Sequence, residues 1–266
     1  MIIVSVIITV SNQKGGVGKT TTTAALAAGI SKKGYKVLCV DLDPQGNLGF
    51  CLGAEPESEY TILDVMKGKR SLQEAVCSAE DCDLIPSDIT LSNNSMDEVV
   101  ENREFILGRA LRPVMDVYDY ILIDTPPALN LLTANAYAVS DFLIIPMVSD
   151  ILSLVGLSQL RETVDSVRNS FNPKLKVLGI LLTKYNRRTI LSKDVNEMAE
   201  QLAEQMGTKV FDVKIRPGVA IAEAPAHGEN IFDYNARSGA VKDYKDLIEE
   251  IAGAIHLKEE ADGKKE

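Results

Sequence analysis

Short apolar runs rich in valine and isoleucine recur along the chain, and each is followed by polar residues, glycine or proline. Runs of this kind are typical of strands that are buried on both faces of a sheet. They lie at residues 2–10, 37–40, 120–123, 142–145 and 177–182.

Longer segments with helical apolar spacing lie between these runs. They span residues 20–33, 104–115, 152–170, 190–206 and 240–255. Because strands and helices alternate, the pattern predicts an α/β fold with a doubly wound, mostly parallel sheet flanked by helices. The stretch 55–102 is less regular and predicts only short helices at 61–66 and 71–76 and a brief strand at 83–85.

Length and composition fit one large domain. The chain has 266 residues, of which 45% are hydrophobic and 25% charged. No linker-like stretch divides it, so we expect a single domain over residues 1–255. The remaining residues, 256–266, mix both charges and predict a disordered tail.

The cysteines and the N-terminal pattern bear on the compartment. Cys39, Cys51, Cys77 and Cys82 show neither a metal-ligand nor a thioredoxin spacing, which favours a reducing cytoplasm. The apolar start at 2–10 lacks the basic region of a signal peptide and is too short to span a bilayer. We therefore expect a buried strand there, and a cytoplasmic protein without a membrane partner.

A glycine-rich loop at residues 11–20 follows the first predicted strand and leads into the first predicted helix. It reads Ser-Asn-Gln-Lys-Gly-Gly-Val-Gly-Lys-Thr. Glycines let successive backbone N–H groups face phosphate oxygens, and the helix N-terminus adds positive partial charge at the same point. We expect Lys19 to reach the β- and γ-phosphates of a nucleotide and the Thr20 hydroxyl to bind Mg²⁺.

Aspartates follow two of the predicted strands. Asp41 and Asp43 come after residues 37–40, and we expect Pro44 to end that strand and leave Asp43 at the carboxyl edge of the sheet. There Asp43 would face the γ-phosphate, orient the attacking water and share in the metal site. The alternative is that both aspartates cap the next helix.

Asp124 ends the apolar run 120–123, an arrangement similar to a Walker B motif. We expect its carboxylate to hold Mg²⁺ directly or through water, together with Thr20 and Asp43. A lone aspartate after a strand is also common in turns, but this one is the third acidic position after a phosphate loop. These groups together predict a hydrolytic site, because phosphoryl transfer mainly needs positioning and charge neutralisation.

The loop departs from the general Walker A pattern at two residues. Gln13 stands where that pattern has glycine, and a second lysine, Lys14, opens the loop. The run Lys-Gly-Gly-Val-Gly-Lys-Thr resembles the deviant Walker A motif of the ParA/MinD family, and Asp-Leu-Asp-Pro-Gln-Gly-Asn at 41–47 resembles that family's second motif. The resemblance to ParA/Soj-type partition ATPases extends from residue 3 to about residue 255. It implies a P-loop NTPase fold, ATP or ADP with Mg²⁺ as cofactors, and slow hydrolysis of ATP to ADP and phosphate.

The same resemblance implies which residues contact the nucleotide. Lys14 would reach the nucleotide of a second subunit, so that ATP binding and dimerisation are linked. Asn186, Arg216 and Pro217 would border the adenine, although surface turn residues would look the same. The loop residues implied to bind nucleotide are Lys14, Gly15, Gly16, Val17, Gly18, Lys19, Thr20 and Thr21. The residues implied to act in catalysis are Lys14, Lys19, Asp43 and Asp124.

Partition ATPases of this type form an ATP-bound homodimer, bind DNA without sequence preference and respond to a ParB-like centromere-binding protein, so the resemblance implies these partners and a place at the nucleoid. Candidate DNA contacts are Lys184, Arg187, Arg188, Lys214, Arg237 and Lys242. Pro217, Ala220 and Gly239 stand where relatives often have arginine. The net charge of −10 also counts against general DNA affinity, because backbone binding needs locally concentrated positive charge. The alternative is a solvated basic face.

Two other functions share this pattern. A membrane-positioning ATPase like MinD needs a C-terminal amphipathic helix, and residues 256–262 offer little apolar surface. The other is a metabolic enzyme of the same fold. The nitrogenase iron protein needs cysteines that bind its cluster, and a ligase such as dethiobiotin synthetase acts on a small carboxylic substrate. Cys77 and Cys82 lie in a poorly patterned acidic segment, and for His227 we expect a structural role.

Overall fold

The computed structural model describes residues 5–54, 59–92 and 102–262. The expected strand residues 2–4, parts of the irregular stretch 55–102, and residues 263–266 of the expected tail lie outside these ranges. The strands are β1 Val6–Val10, β2 Val37–Asp41, β3 Cys77–Ser78, β4 Asp83–Ile85, β5 Tyr120–Asp124, β6 Phe142–Val148 and β7 Lys176–Thr183.

Within the described residues these strands form one seven-stranded sheet in the order β3-β4-β2-β5-β1-β6-β7. Neighbouring strands are parallel except at one edge, where β3 and β4 pair in antiparallel fashion. The helices are α1 Lys19–Ser31, α2 Asn47–Cys51, α3 Ile62–Met66, α4 Leu72–Ala75, α5 Ile106–Leu111, α6 Leu131–Val139, α7 Ile151–Ser170, α8 Ile190–Gln205, α9 Val219–Glu223, α10 Ile231–Tyr234 and α11 Gly239–Asp262.

Helices cover both faces of the sheet. Alternate residues of a strand point to opposite faces, and Ile7 and Ile121 pack in one hydrophobic cluster while Ile8 and Leu122 pack in another. The first cluster includes residues of α7 and α8, and the second includes residues of α1 and α11. The predicted doubly wound, mostly parallel α/β sheet is therefore confirmed.

Several helices differ from the sequence-based expectation: α2, α6, α9 and α10 were not predicted, and one predicted helix is divided. The segment expected at 104–115 is divided into α5 and flanking 3₁₀ turns at Arg103–Phe105 and Arg112–Val114. Pro113 has no backbone N–H, so α-helical hydrogen bonding does not continue through it. Helix α6 was not predicted; it begins after Asn130, whose side chain accepts two backbone N–H groups of the first turn.

The last helix bears on the expected domain boundary. Helix α11 continues to Asp262, so the boundary expected at 255 falls inside this helix. Residues 256–262 are mainly good helix formers, which explains the continuation. The single domain and the disordered tail stay predictions. Among the described helices, none combines the length and the apolar content that crossing a bilayer requires.

Candidate functional site

The carboxyl ends of three neighbouring strands bring the predicted site residues to one edge of the sheet. In the parallel register, Val10 of β1 pairs with Asp124 of β5, and Asp41 of β2 pairs with the same Asp124. The loop after β1 therefore lies beside both aspartates. Ligands of open parallel sheets bind outside this edge.

The glycine loop turns from β1 into α1 through two glycines with positive φ. Gly16 has φ 72° and Gly18 has φ 89°, a region that a residue without Cβ enters without strain. Gly15 and Gly16 are exposed at the loop tip, whereas Val17 is buried. Lys19 is the first residue of α1, and the first turn of this helix holds no acidic residue. Its unpaired backbone N–H groups therefore form a site suited to an anion.

Lys19 extends from the start of α1 into the interior of the site. It is only 6% exposed, and its Nζ donates to the backbone carbonyl of Lys14 at 3.3 Å. Burial lowers the pKa of Lys19, while the charges of Asp124 and Asp43 act in the opposite direction. A buried ammonium near two carboxylates is positioned to meet phosphate oxygens that enter this edge.

Asp124 is completely buried, and its two carboxylate oxygens differ in their partners. Oδ1 accepts from the Thr23 hydroxyl at 3.5 Å, and the Thr20 side chain lies within hydrogen-bonding reach of the carboxylate. Oδ2 has no hydrogen-bond partner among the described residues. Burial first, and then the neighbouring Asp41, raises the pKa of Asp124 well above its usual value.

This arrangement fits a divalent cation. Thr20 and Asp124 supply a hydroxyl and a carboxylate oxygen, the ligand type that Mg²⁺ prefers. A buried carboxylate oxygen without a partner is costly, and a bound cation would remove that cost. The residues present are therefore suitable for the expected Mg²⁺ site.

The structure corrects the expected end of strand β2. Strand β2 ends at Asp41, so Asp43 lies in the turn that follows, and Pro44 does not end the strand. The strand stops because the Asp41 carboxylate accepts the N–H of Asp43 at 2.9 Å and that of Leu48 at 3.1 Å, which folds the chain into a turn. Burial raises the pKa of Asp41 to about 7. Asp41 thus has the capping role that the sequence analysis left as the alternative.

Asp43 is half-buried beside the loop. Its Oδ1 accepts the N–H of Gln45 at 3.0 Å, and the Ser87 hydroxyl donates to its backbone carbonyl. Its charge, after that of Asp124, opposes the lowering of the Lys19 pKa by burial. The turn is therefore held through both the side chain and the backbone carbonyl of Asp43.

Lys14 lies on the outer side of the loop. Its Nζ forms an ion pair with Asp150 at 2.6 Å and donates to the Ser153 hydroxyl at 3.4 Å. Asp150 also caps α7 by accepting the Ser153 N–H at 2.8 Å. Burial alone would raise the pKa of Asp150, but the hydrogen bonds from Lys14 and Ser153 outweigh it and lower that pKa. Within this single chain, Lys14 is thus held by its own subunit.

A cavity of about 510 Å³ adjoins the start of α1. Thr21 lines it, and so do Arg216 and Pro217, two of the residues expected to border the adenine. Asn186 is not among the lining residues; its Oδ1 accepts the N–H of Arg188 at 3.1 Å, which is a turn role. The size and the place of this cavity suit a nucleoside beside the phosphate loop.

The cavity wall at Arg216 is fixed by a buried carboxylate. The carboxylate of Asp243 in α11 accepts hydrogen bonds from the backbone N–H of Arg216 at 3.0 Å and from the Nε and Nη2 of the same arginine at 2.7 Å each. A Cβ added at Gly239 would lie 2.9 Å from Nη1 of Arg216. The glycine that stands in place of an expected arginine therefore leaves room for this side chain.

The six candidate DNA contacts fall into two groups. Arg187, Arg188, Arg237 and Lys242 are exposed. Lys184, which is also exposed, and Lys214 donate to backbone carbonyls of the chain. Burial also lowers the pKa of Lys214, so this lysine is less suited to a phosphate contact than an exposed one.

Sequence reasoning did not find three polar partners of the site. Asp150 directly precedes an apolar helical pattern, so its position as a helix N-cap was a usable signal. Asp243 sits at a buried position of α11, an unusual place for an acid. For Thr183, whose hydroxyl donates to the Val17 carbonyl at 2.8 Å, the local pattern held no signal.

Comparison with known proteins supports the family resemblance that the sequence motifs indicate. A family model described as AAA domain matches residues 5–177. Soj, the sporulation initiation inhibitor protein of Bacillus subtilis, is 40% identical over 250 residues, which cover 92% of this chain and 98% of Soj. The chromosome partitioning protein ParA of Myxococcus xanthus is 39% identical over 249 residues, which cover 92% of this chain and 87% of that protein.

A solved structure shows the same fold. The crystal structure of cobyrinic acid a,c-diamide synthase from Mycobacterium smegmatis with bound ATP analogue and magnesium aligns with a TM-score of 0.79 and 31% identity. The alignment covers 92% of this chain and 93% of that one. The motifs, the fold and these relatives together show that the chain belongs to the ParA/Soj family of P-loop NTPases.

Proposed function

We propose that this protein is an ATP-dependent DNA partition ATPase. Two copies bind ATP and Mg²⁺ and dimerise across the nucleotides, the dimer binds DNA without sequence preference, and a ParB-like protein stimulates hydrolysis. The domain over residues 1–255 would do this in the cytoplasm, at the nucleoid. The observation that supports it most is the meeting of the glycine loop, the buried Lys19 ammonium and the unpartnered Asp124 oxygen at one sheet edge.

The chain's own residues suggest how ATP would be hydrolysed. The backbone N–H groups of the loop and Lys19 hold the phosphates, and Thr20 and Asp124 hold Mg²⁺, which when bound neutralises phosphate charge. Asp43 orients a water for attack on the γ-phosphorus, so that the bond from phosphorus to the bridging oxygen breaks and ADP leaves. Preorganised charge at the phosphates supplies most of the expected rate enhancement.

The surface beside Lys14 supports dimerisation. Ile151, Leu152 and Val155 of α7 are 53%, 72% and 54% exposed, next to the ion pair of Lys14 with Asp150. Exposed apolar side chains grouped in this way are typical of an interaction surface. An ion pair at a solvent-accessible position contributes about 0–1 kcal/mol, so a second copy's nucleotide could draw Lys14 away from Asp150 at little cost.

Removal of the Lys14 side chain tests the dimer. We expect the wild-type protein to change from monomer to dimer with a non-hydrolysable ATP analogue and Mg²⁺, and Lys14→Ala to stay monomeric. Sedimentation velocity measures both states. Lys36→Ala is the matched control, because Lys36 is exposed just before β2, at the opposite edge of the sheet. Equal dimerisation of Lys14→Ala and wild type would contradict the proposal.

The exposed arginines after β7 test the DNA contact. The double variant Arg187→Ala/Arg188→Ala is expected to bind all DNA sequences more weakly and to reduce the slope of log affinity against log salt concentration by about two. The control Arg109→Ala/Arg112→Ala removes two exposed arginines at α5. Fluorescence anisotropy with ATP and DNA of unrelated sequences gives these slopes. An unchanged slope in the first variant would remove these arginines from the DNA site.

A second candidate function is a metabolic ligase. A cavity of about 520 Å³ borders the loop at Gln13, and Gln13 Nε2 is a buried donor without a partner among the described residues. A small polar substrate could use that donor. ATP turnover that depends on a small carboxylic acid and is indifferent to DNA would favour this function, whereas ATP-dependent DNA binding favours partition.

A further inference from the structure

The end of β7 holds the outer side of the glycine loop. The Thr183 hydroxyl donates to the carbonyl of Val17 at 2.8 Å, and the Lys184 Nζ donates to the carbonyl of Gly16 at 3.0 Å. In a loop whose N–H groups face an anion, the carbonyls that point away from the anion need other hydrogen-bond donors. For the carbonyls of Gly16 and Val17, these donors are the side chains of two consecutive residues at the end of β7.

The backbone at Lys184 is unusual. Its φ is 49°, and among the described residues Lys184 and Asn102 are the non-glycine residues with positive φ. Asparagine tolerates this region, whereas for lysine it is strained. The following Tyr185 N–H donates to the Ile215 carbonyl at 2.8 Å, which fixes the chain just after the strained residue. Such strain persists where the surrounding structure requires the conformation, often at functional sites.

Lys184 also lines the 510 Å³ cavity, together with Gly18 and Pro217. Its side chain thus spans from the cavity wall to the loop carbonyl. Another part of the wall is fixed by the hydrogen bonds of Arg216 to Asp243. The cavity is therefore bordered by an exposed lysine whose ammonium also donates to the glycine loop.

We propose that Lys184 is a positioning residue for nucleotide binding and not a DNA contact. Its ammonium keeps the Gly16 carbonyl turned outward, so that the loop N–H groups face the phosphates, and its aliphatic stem forms one wall of the base cavity. This inference rests on the nucleotide-binding part of the proposed function and is independent of the DNA-binding part.

Three variants test this role. Lys184→Met keeps the stem and removes the ammonium, Lys184→Gly removes both but suits the positive φ, and Lys174→Met is the control at the other end of β7. Calorimetric titration with ADP and Mg²⁺ gives nucleotide affinity, thermal unfolding without nucleotide reports the fold, and anisotropy at saturating ATP gives DNA affinity.

Both Lys184 variants are expected to bind ADP about fivefold to tenfold more weakly, a loss of about 1 to 1.4 kcal/mol, with unchanged DNA affinity. Lys184→Met is expected to melt as the wild-type protein does. Lys174→Met should match wild type. Wild-type ADP affinity in Lys184→Gly with weak binding in Lys184→Met would assign the effect to the backbone and overturn the inference. Unchanged ADP binding in both variants, with or without weaker DNA binding, would also overturn it. Failure of the wild-type protein to bind ADP would reject the proposed function as well, and that result is distinct from the others.

Discussion

Lys19→Ala is expected to lower kcat/KM for ATP by about 10³-fold, because a preorganised cation at the transferred phosphoryl group is among the largest contributions to this chemistry. Lys19 is the buried ammonium at the loop, 6% exposed, and both Asp124 and Asp43 act on its pKa. Its removal takes away the charge that would meet the β- and γ-phosphates. A phosphate-release assay with ATP and Mg²⁺ measures the loss.

The same substitution changes the balance of charge in the apo site. Without Lys19, the buried Asp124 loses an opposite charge that lowers its pKa, so a loss of activity could come from a disturbed fold. Lys19→Met keeps the length of the side chain and should lose activity equally while unfolding at nearly the wild-type temperature. Lys33→Ala, near the other end of α1, removes an exposed ion pair with Glu249 and should leave turnover unchanged. Hydrolysis within tenfold of wild type in Lys19→Met would mean that another cation serves the phosphates.

The strands and the helix around this site that the sequence predicted correctly are local in the chain. Strand β1, the glycine loop and α1 follow one another within residues 6–31, and Asp124 directly ends an apolar strand. Each of these features is visible in a window of a few residues, so the phosphate loop and its aspartate could be placed before the fold was known.

The partners that the sequence did not predict are distant in the chain. Lys14 meets Asp150, 136 residues away, and Lys184 meets Gly16, 168 residues away. No periodic pattern encodes such pairs, because they arise when separate strand ends reach the same sheet edge. The predicted end of β2 at Pro44 was wrong for a different reason: the turn at Asp43 depends on the hydrogen bonds that the Asp41 side chain accepts, and the apolar pattern of β2 holds no information about them.

Asp124→Asn should abolish the Mg²⁺ dependence of nucleotide binding and reduce turnover by about 10²- to 10³-fold. The reason is that the substitution removes the carboxylate charge at the buried position where Oδ2 has no partner. Titration of ADP with and without Mg²⁺ measures the first effect, and phosphate release measures the second. Asp116→Asn, an exposed aspartate shortly before β5, is the matched control.

The same variant should be more stable than wild type when Mg²⁺ and nucleotide are absent, and its advantage should grow with pH. Burial and Asp41 raise the pKa of Asp124 above that of an unfolded aspartate, about 3.9. The folded wild-type protein therefore holds a proton that the unfolded chain has lost, and its stability falls as pH rises from the unfolded pKa through the folded one. Asparagine has no proton to lose, so the melting temperatures of the two proteins should differ more at about pH 8 than at about pH 5.

Mg²⁺ with ADP should reverse the order of stability, because it stabilises the site that retains the carboxylate. A variant that is less stable than wild type at the higher pH would contradict the raised pKa of Asp124. A variant that still gains stability from Mg²⁺ in the presence of ADP would show that Asp124 is not the residue that holds the metal.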